Sequence, residues 1–115
     1  MIASNPLRHT VLGLLLLLLA APVFVQAQNG KVDITRKKAD YYFEEDNLVE
    51  AEELYKEVLN QDPNDYVAAY RLGTINSFLQ DYRESLRYYR TAAEIDPAKT
   101  DTVYLQIGLA YKRIN

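Results

Sequence analysis

YVAAYRLGTINSFLQDYRESLRYYRTAAEIDPAK, residues 66–99, decides how this chain folds. In its second half, Ser85, Leu86, Tyr89, Ala92 and Ala93 recur at the spacing of one helical face, which predicts a helix from about Tyr82 to Ile95. Upstream, Ala69, Leu72, Gly73 and Asn76 form a matching stripe and predict a helix from about Asp65 to Leu79. Gln80-Asp81 joins the two, with Asp81 placed as an N-cap. Pro97 cannot continue a helix and biases Asp96 away from helical angles, so the unit closes there. Gly73, Ser85 and Ala92 are small where the helices face each other; a bulky side chain there would force the axes apart.

The pattern repeats on both sides. At one constant offset, Asp62-Pro63 recurs as Asp96-Pro97, Tyr55 falls on Tyr89, Ala51 on Ser85, Ala39 on Gly73, and Asn47 on Asp81. A step longer by a single position carries Gly73 to Gly108, with Ile107 following Leu72. The extra residue falls in the linker Ala98-Lys99-Thr100, where an insertion costs little.

Repetition at this period, with Leu72-Gly73, Ser85, Tyr89, Ala92 and Pro97 at their places, resembles the tetratricopeptide repeat. The first unit fits it through Ala39, Tyr42, Ala51, Tyr55 and Pro63, and the third through Ile107, Gly108 and Tyr111. Lys38 and Val58 stand where the family usually has leucine and alanine; Lys38 suits a terminal repeat with one flank in water. The resemblance implies an all-α solenoid of about two and a half helical hairpins: repeat one at 32–65, repeat two at 66–100, and the first helix of a third at 101–115. Val103, Tyr104, Ile107, Gly108 and Tyr111 make a packing stripe that awaits a partner helix. Two readings follow: the sequence continues into further structure, or its last helix serves as the cap.

Ahead of the repeats lies a different kind of segment. Arg8 precedes an apolar run from Val11 to Ala21, Pro22 ends it, and Val25-Gln26-Ala27 has the residues of a cleavage site. Residues 1–27 therefore read as a secretory signal peptide and 28–31 as a short lead-in, with an uncleaved anchor as the alternative. Cleavage leaves 28–115, with 12 basic and 16 acidic side chains and no histidine or cysteine. That balance argues against a nucleic-acid surface and rules out disulfides and thiolate metal sites.

The parts of an enzyme are lacking too. Ser77 and Ser85 have no base in their sequence neighbourhood, and Gly30, Gly73 and Gly108 are too scattered for a phosphate loop. Glu44-Glu45-Asp46 lacks the glycine and ligand spacing of a calcium loop. No cofactor, catalytic residue or small-molecule substrate is expected. A protein or peptide partner is.

The family resemblance implies a groove lined by the first helix of each hairpin. It maps onto Asp33, Arg36, Asp40, Phe43 and Glu44; then Val67, Tyr70, Thr74, Ser77 and Phe78; then Thr102, Leu105, Leu109, Lys112 and Arg113. On that mapping Phe43, Tyr70, Phe78, Leu105 and Leu109 are apolar groups the core does not need, open to a partner or covered by a neighbouring segment. The Gln28 start and the run Ala39-Asp40-Tyr41-Tyr42 also resemble Bacteroidetes envelope proteins in which such repeats precede a beta-propeller and an OmpA-like domain. That resemblance implies an exported scaffold on the periplasmic side of the outer membrane, and some proteins of that kind belong to gliding-motility and type IX secretion machinery. A structural spacer or oligomerisation module is the competing expectation.

Overall fold

The structure, a computed structural model, describes residues 27–115. The expected signal peptide falls, except for Ala27, outside the described residues. Contacts divide the chain into Met1–Lys31 and Val32–Asn115. Of the first unit, residues 27–31 are helical and exposed. The second unit is a run of antiparallel helices: α1 (32–44), α2 (Leu48–Gln61), α3 (Tyr66–Phe78), α4 (Tyr82–Ile95), a 3₁₀ turn at Pro97–Lys99, and α5 (Thr100–Ile114). The helical-hairpin solenoid expected from the repeat is the observed fold, with α1–α2 and α3–α4 as hairpins and α5 packed on α4 after them. Among the described residues no helix is long and apolar enough to cross a membrane.

Each connection is specified twice, once per repeat. Asp62 and Asp96 hold near-identical extended backbone angles, as a residue before proline must. Their Oδ1 atoms each accept from the amide two residues on, Asn64 and Ala98, both at 3.1 Å. At the other end of the hairpins, Asp46 and Gln80 have φ of 55° and 63°. Paired amides close the last turns: Asp46 to Phe43 and Asn47 to Tyr42, then Gln80 to Ser77 and Asp81 to Asn76. This is a left-handed helix stop built twice without glycine. Because non-glycine residues are strained there, Gln80→Gly is expected to stabilise the fold by about 0.5–1 kcal/mol, read as a rise in the urea midpoint at unchanged slope.

The N-caps divide. Asp65 and Asp81 accept from the amides of Ala68 and Glu84 at 2.9 and 3.2 Å. Asn47 occupies the equivalent place for α2, but its side chain makes no capping bond, contrary to expectation. Only its carbonyl takes part, accepting from Ala51.

Packing shows why α3 anchors the array. Ala68, Leu72 and Ile75 join Ala39, Ala51, Tyr55 and Val58 in one core. Ala69 turns to a second core with Tyr89, Ala92 and Val103. One helix is thus buried on two sides, more than the single stripe read from sequence. α4 does the same through neighbours Tyr88 and Tyr89, which enter the first and second core respectively. The α3–α4 crossing is close because Gly73 lies against the Tyr89 ring. A hydrogen bond from Ser85 Oγ to the Gly73 carbonyl (2.7 Å) fixes it.

Four residues expected to pack do not. Pro63 and Pro97 are exposed and act only by ending helices. Gly108 is exposed, and an added methyl group there would meet nothing within 4 Å. Tyr111 is 41% exposed and stacks under the Arg90 guanidinium instead of entering a core. Gly108 and Tyr111 share a cause: no helix among the described residues covers that side of α5. The other packing residues, Ala39, Ala51, Tyr55, Leu72, Gly73, Ser85, Tyr89 and Ala92, are buried, and Tyr42 packs part-buried on the first core.

Candidate groove between the first helices of successive hairpins

α3 opens the second hairpin and α5 follows that hairpin, and the gap between them is floored by α4. Two adjoining depressions occupy it. One, of about 390 Å³, is lined by Tyr70, Arg71, Thr74, Ser77, Phe78, Tyr89 and Gln106. The next, of about 350 Å³, shares Ser77, Phe78 and Gln106 and adds Gln80, Tyr82, Leu109 and Arg113. Phe78, 67% exposed, stands where the two meet.

The floor is held by a relay. The Tyr89 hydroxyl lies 3.1 Å from Thr74 Oγ1, which donates to the Tyr70 carbonyl at 3.1 Å. Tyr70 and Tyr89 also meet edge to face, with centroids 5.5 Å apart. Burial pushes the Tyr89 hydroxyl above its ordinary pKa, so it stays protonated and able to donate. The same device appears one repeat earlier, where the Tyr55 hydroxyl donates to Asp40. Asp40 and Thr74 are therefore equivalent groove-side positions, each gripped by the tyrosine of the following helix.

Of the eight groove residues expected from sequence, the structure brings Tyr70, Thr74, Ser77, Phe78 and Leu109 together. It separates Asp40, Phe43 and Leu105 from them. Asp40 is occupied by Tyr55. Phe43 packs against the first core beneath the Arg71 guanidinium, 4.4 Å from its ring centroid. Leu105 is 62% exposed and lines neither depression. Two of the five supposedly spare apolar groups, Phe43 and Tyr70, in fact pack on the cores. Of the wider mapping, Asp33 pairs with Arg36 and Lys37, and Arg36 also reaches Asp65 at 2.9 Å.

Arg71, Gln106, Tyr82 and Gln80 were missed. Arg71 follows a groove position by one residue, which helical periodicity places off the face. Its long side chain brings the charge back, a freedom that a Cβ-based pattern does not contain.

Residues 66–99 match the tetratricopeptide repeat family. That is the second hairpin, the unit whose pattern is cleanest. No curated protein matches the chain in sequence. Among the solved structures that match is the TPR2B-domain:pHsp70 complex of yeast Sti1, at 20% identity and a TM-score of 0.67. The match covers 73% of this chain and 66% of that one, so it reaches somewhat less than two thirds of the yeast chain's length. At that identity the likeness establishes a shared tetratricopeptide fold. Among the described residues no group of three or more His, Cys, Asp or Glu side chains could hold a metal ion.

Proposed function

We propose that the α1–α5 array is a non-enzymatic scaffold that captures a peptide or an extended segment of a partner protein in the α3–α5 groove. The observation that carries this is Phe78: a large ring, 67% exposed, at the junction of two depressions. An apolar group held out in a groove is a common anchor for a partner side chain. The yeast domain of the same fold, seen in complex with pHsp70, supports the choice of a protein ligand.

We further propose that the scaffold works outside the cytoplasm, in the periplasm of a bacterial envelope. The leucine run and the Val25-Gln26-Ala27 site support export. A place within a larger OmpA-like envelope protein follows from the sequence resemblance alone. The competing reading, a spacer or oligomerisation unit, draws on α5, where Tyr104, Leu105 and Ile114 are exposed. Concentration-dependent self-association in light scattering, abolished by Leu105→Glu, would favour it.

Selection of a random peptide library on the full chain tests the main reading. Enriched peptides are expected, with Phe78→Ala weakening their capture about tenfold or more. Stability should change by no more than about 0.5 kcal/mol, since Phe78 is outside both cores. Enriched peptides that ignore Phe78→Ala, or equal loss of helicity in that variant, would remove the groove from the account.

A further inference from the structure

The chain carries a net charge of −3, yet the groove has the opposite sign. The charged side chains lining its two depressions are Arg71 and Arg113, and no carboxylate lines either. Among the described residues, neither arginine is ion-paired. Elsewhere in the second unit, Arg36, Lys37, Lys56, Arg87 and Lys99 sit beside carboxylates. Lys38, Arg83, Arg90 and Lys112 make no ion pair among the described residues either, and what sets Arg71 and Arg113 apart is their place in the lining of the depressions.

Both guanidiniums are steadied by rings. Arg71 lies over the Phe43 ring, its guanidinium carbon 4.4 Å from the centroid, close enough for a cation–π contact. Arg113 reaches the Tyr82 hydroxyl at 3.5 Å, its guanidinium carbon 5.9 Å from the ring centroid. A guanidinium carries a planar fork that a carboxylate accepts with two parallel bonds, and the N–H that Arg113 gives to Tyr82 leaves its other donors for a ligand. Asp40 and Glu44 of α1 and Arg71 all act on the Tyr55 hydroxyl. Asp40 is engaged by Tyr55, and Glu44 is exposed and acts on Tyr55 only through its field.

We infer that the groove selects an acidic segment: two carboxylate side chains flanking one apolar residue in an extended stretch of a partner protein. The inference rests on the groove being the binding face. Its spacing follows from helix geometry. Arg71 and Phe78 are seven residues apart on α3, about 10 Å along the axis, and Arg113 shares the Phe78 end. Extended backbone covers about 3.3 Å per residue, so acidic residues about three or four positions apart reach both arginines. The residue between them then falls about midway along this stretch of α3, beside Thr74, with Phe78 and Leu109 toward the Arg113 end.

The test is fluorescence anisotropy on the full chain with three labelled probes, acetylated and amidated: Asp-Ser-Leu-Ser-Asp, Asn-Ser-Leu-Ser-Asn and Lys-Ser-Leu-Ser-Lys. The acidic peptide is expected to bind at least about fivefold tighter than the amide version, and the basic one weakest, with the preference eroding as salt rises. Arg113→Gln should cut affinity for the acidic probe about three- to tenfold and leave the amide probe unchanged. Arg113 is exposed, so this variant does not disturb a core. Arg71→Gln should act likewise, with circular dichroism confirming that it still folds. Equal binding of acidic and amide probes, or indifference to Arg113→Gln, overturns the inference while leaving a Phe78-dependent groove intact. Failure of all three probes overturns it as well. So does binding only when the acidic peptide keeps a free C-terminus, since the site would then read a chain end.

Discussion

Gly73→Leu should abolish the folded state, and even Gly73→Ala should cost stability. A Cβ at this position would lie 2.6 to 2.8 Å from Cδ1, Cε1 and Cγ of Tyr89. Those are the near atoms of a ring that cannot retreat. Tyr89 is buried, its ring meets that of Tyr70, and its hydroxyl is tied to Thr74. Alanine gains about 1 kcal/mol of helix propensity over glycine, while overpacking of this kind costs about 1–3 kcal/mol. The net expectation for alanine is a loss of up to about 2 kcal/mol, or up to several degrees in midpoint for a domain of this size. Leucine adds further carbons to the same contact and separates α3 from α4. Gly108→Ala is the internal control. It stands on an exposed helical face with nothing within 4 Å, so it should gain up to about 1 kcal/mol. Thermal unfolding followed by circular dichroism compares the three variants. Gly73→Ala as stable as the parent would mean that the ring moves aside and the crossing is not tight.

The contrast between these glycines marks how far the sequence could be read. Repetition at a fixed period identified the hairpins, and α4 begins and ends where its stripe predicted. That worked because a repeat states each packing rule twice, so Ala39 and Gly73 support one another as small residues at a crossing. On α5 no helix among the described residues meets Gly108, and it stays open. The groove was legible only where periodicity governs it. Tyr70, Thr74, Ser77 and Phe78 all lie on one face of α3, and their convergence is a backbone property. Phe43 escaped because Arg71, from another helix, covers its ring. Arg71 escaped because its reach depends on side-chain torsions, not on register. Ser85 was read as small; its hydrogen bond to the Gly73 carbonyl becomes visible only once the crossing is built.

Tyr55→Ala is expected to destabilise the array by about 3–5 kcal/mol, the usual cost of deleting a buried aromatic ring. Tyr55 is the largest side chain fully enclosed in the first core, where it touches the hairpin partner α1 through Asp40 and shares the core with Leu72 and Ile75 of α3. Removing it therefore loosens two helix contacts at once. Tyr55→Phe separates the ring from the hydroxyl: the ring stays, the bond to Asp40 goes, and about 1–2 kcal/mol is lost. The pair also differ from the parent in alkali. Burial, and then the bond to Asp40, push the Tyr55 hydroxyl well above the ordinary tyrosine value. Burial shifts Tyr66 and Tyr89 the same way. In the unfolded chain these groups ionise near pH 10, whereas the folded state holds them neutral. Their contribution is thus complete below about pH 10 and is lost as pH rises toward the folded values, because ionisation then favours the unfolded chain. Urea unfolding at pH 8 to 11 should show stability falling at the alkaline end, less steeply in Tyr55→Phe. A Phe variant with the parent's alkaline slope would mean that Tyr55 ionises as freely in the fold as outside it. Its bond to Asp40 would then be no part of what holds α1 against α2.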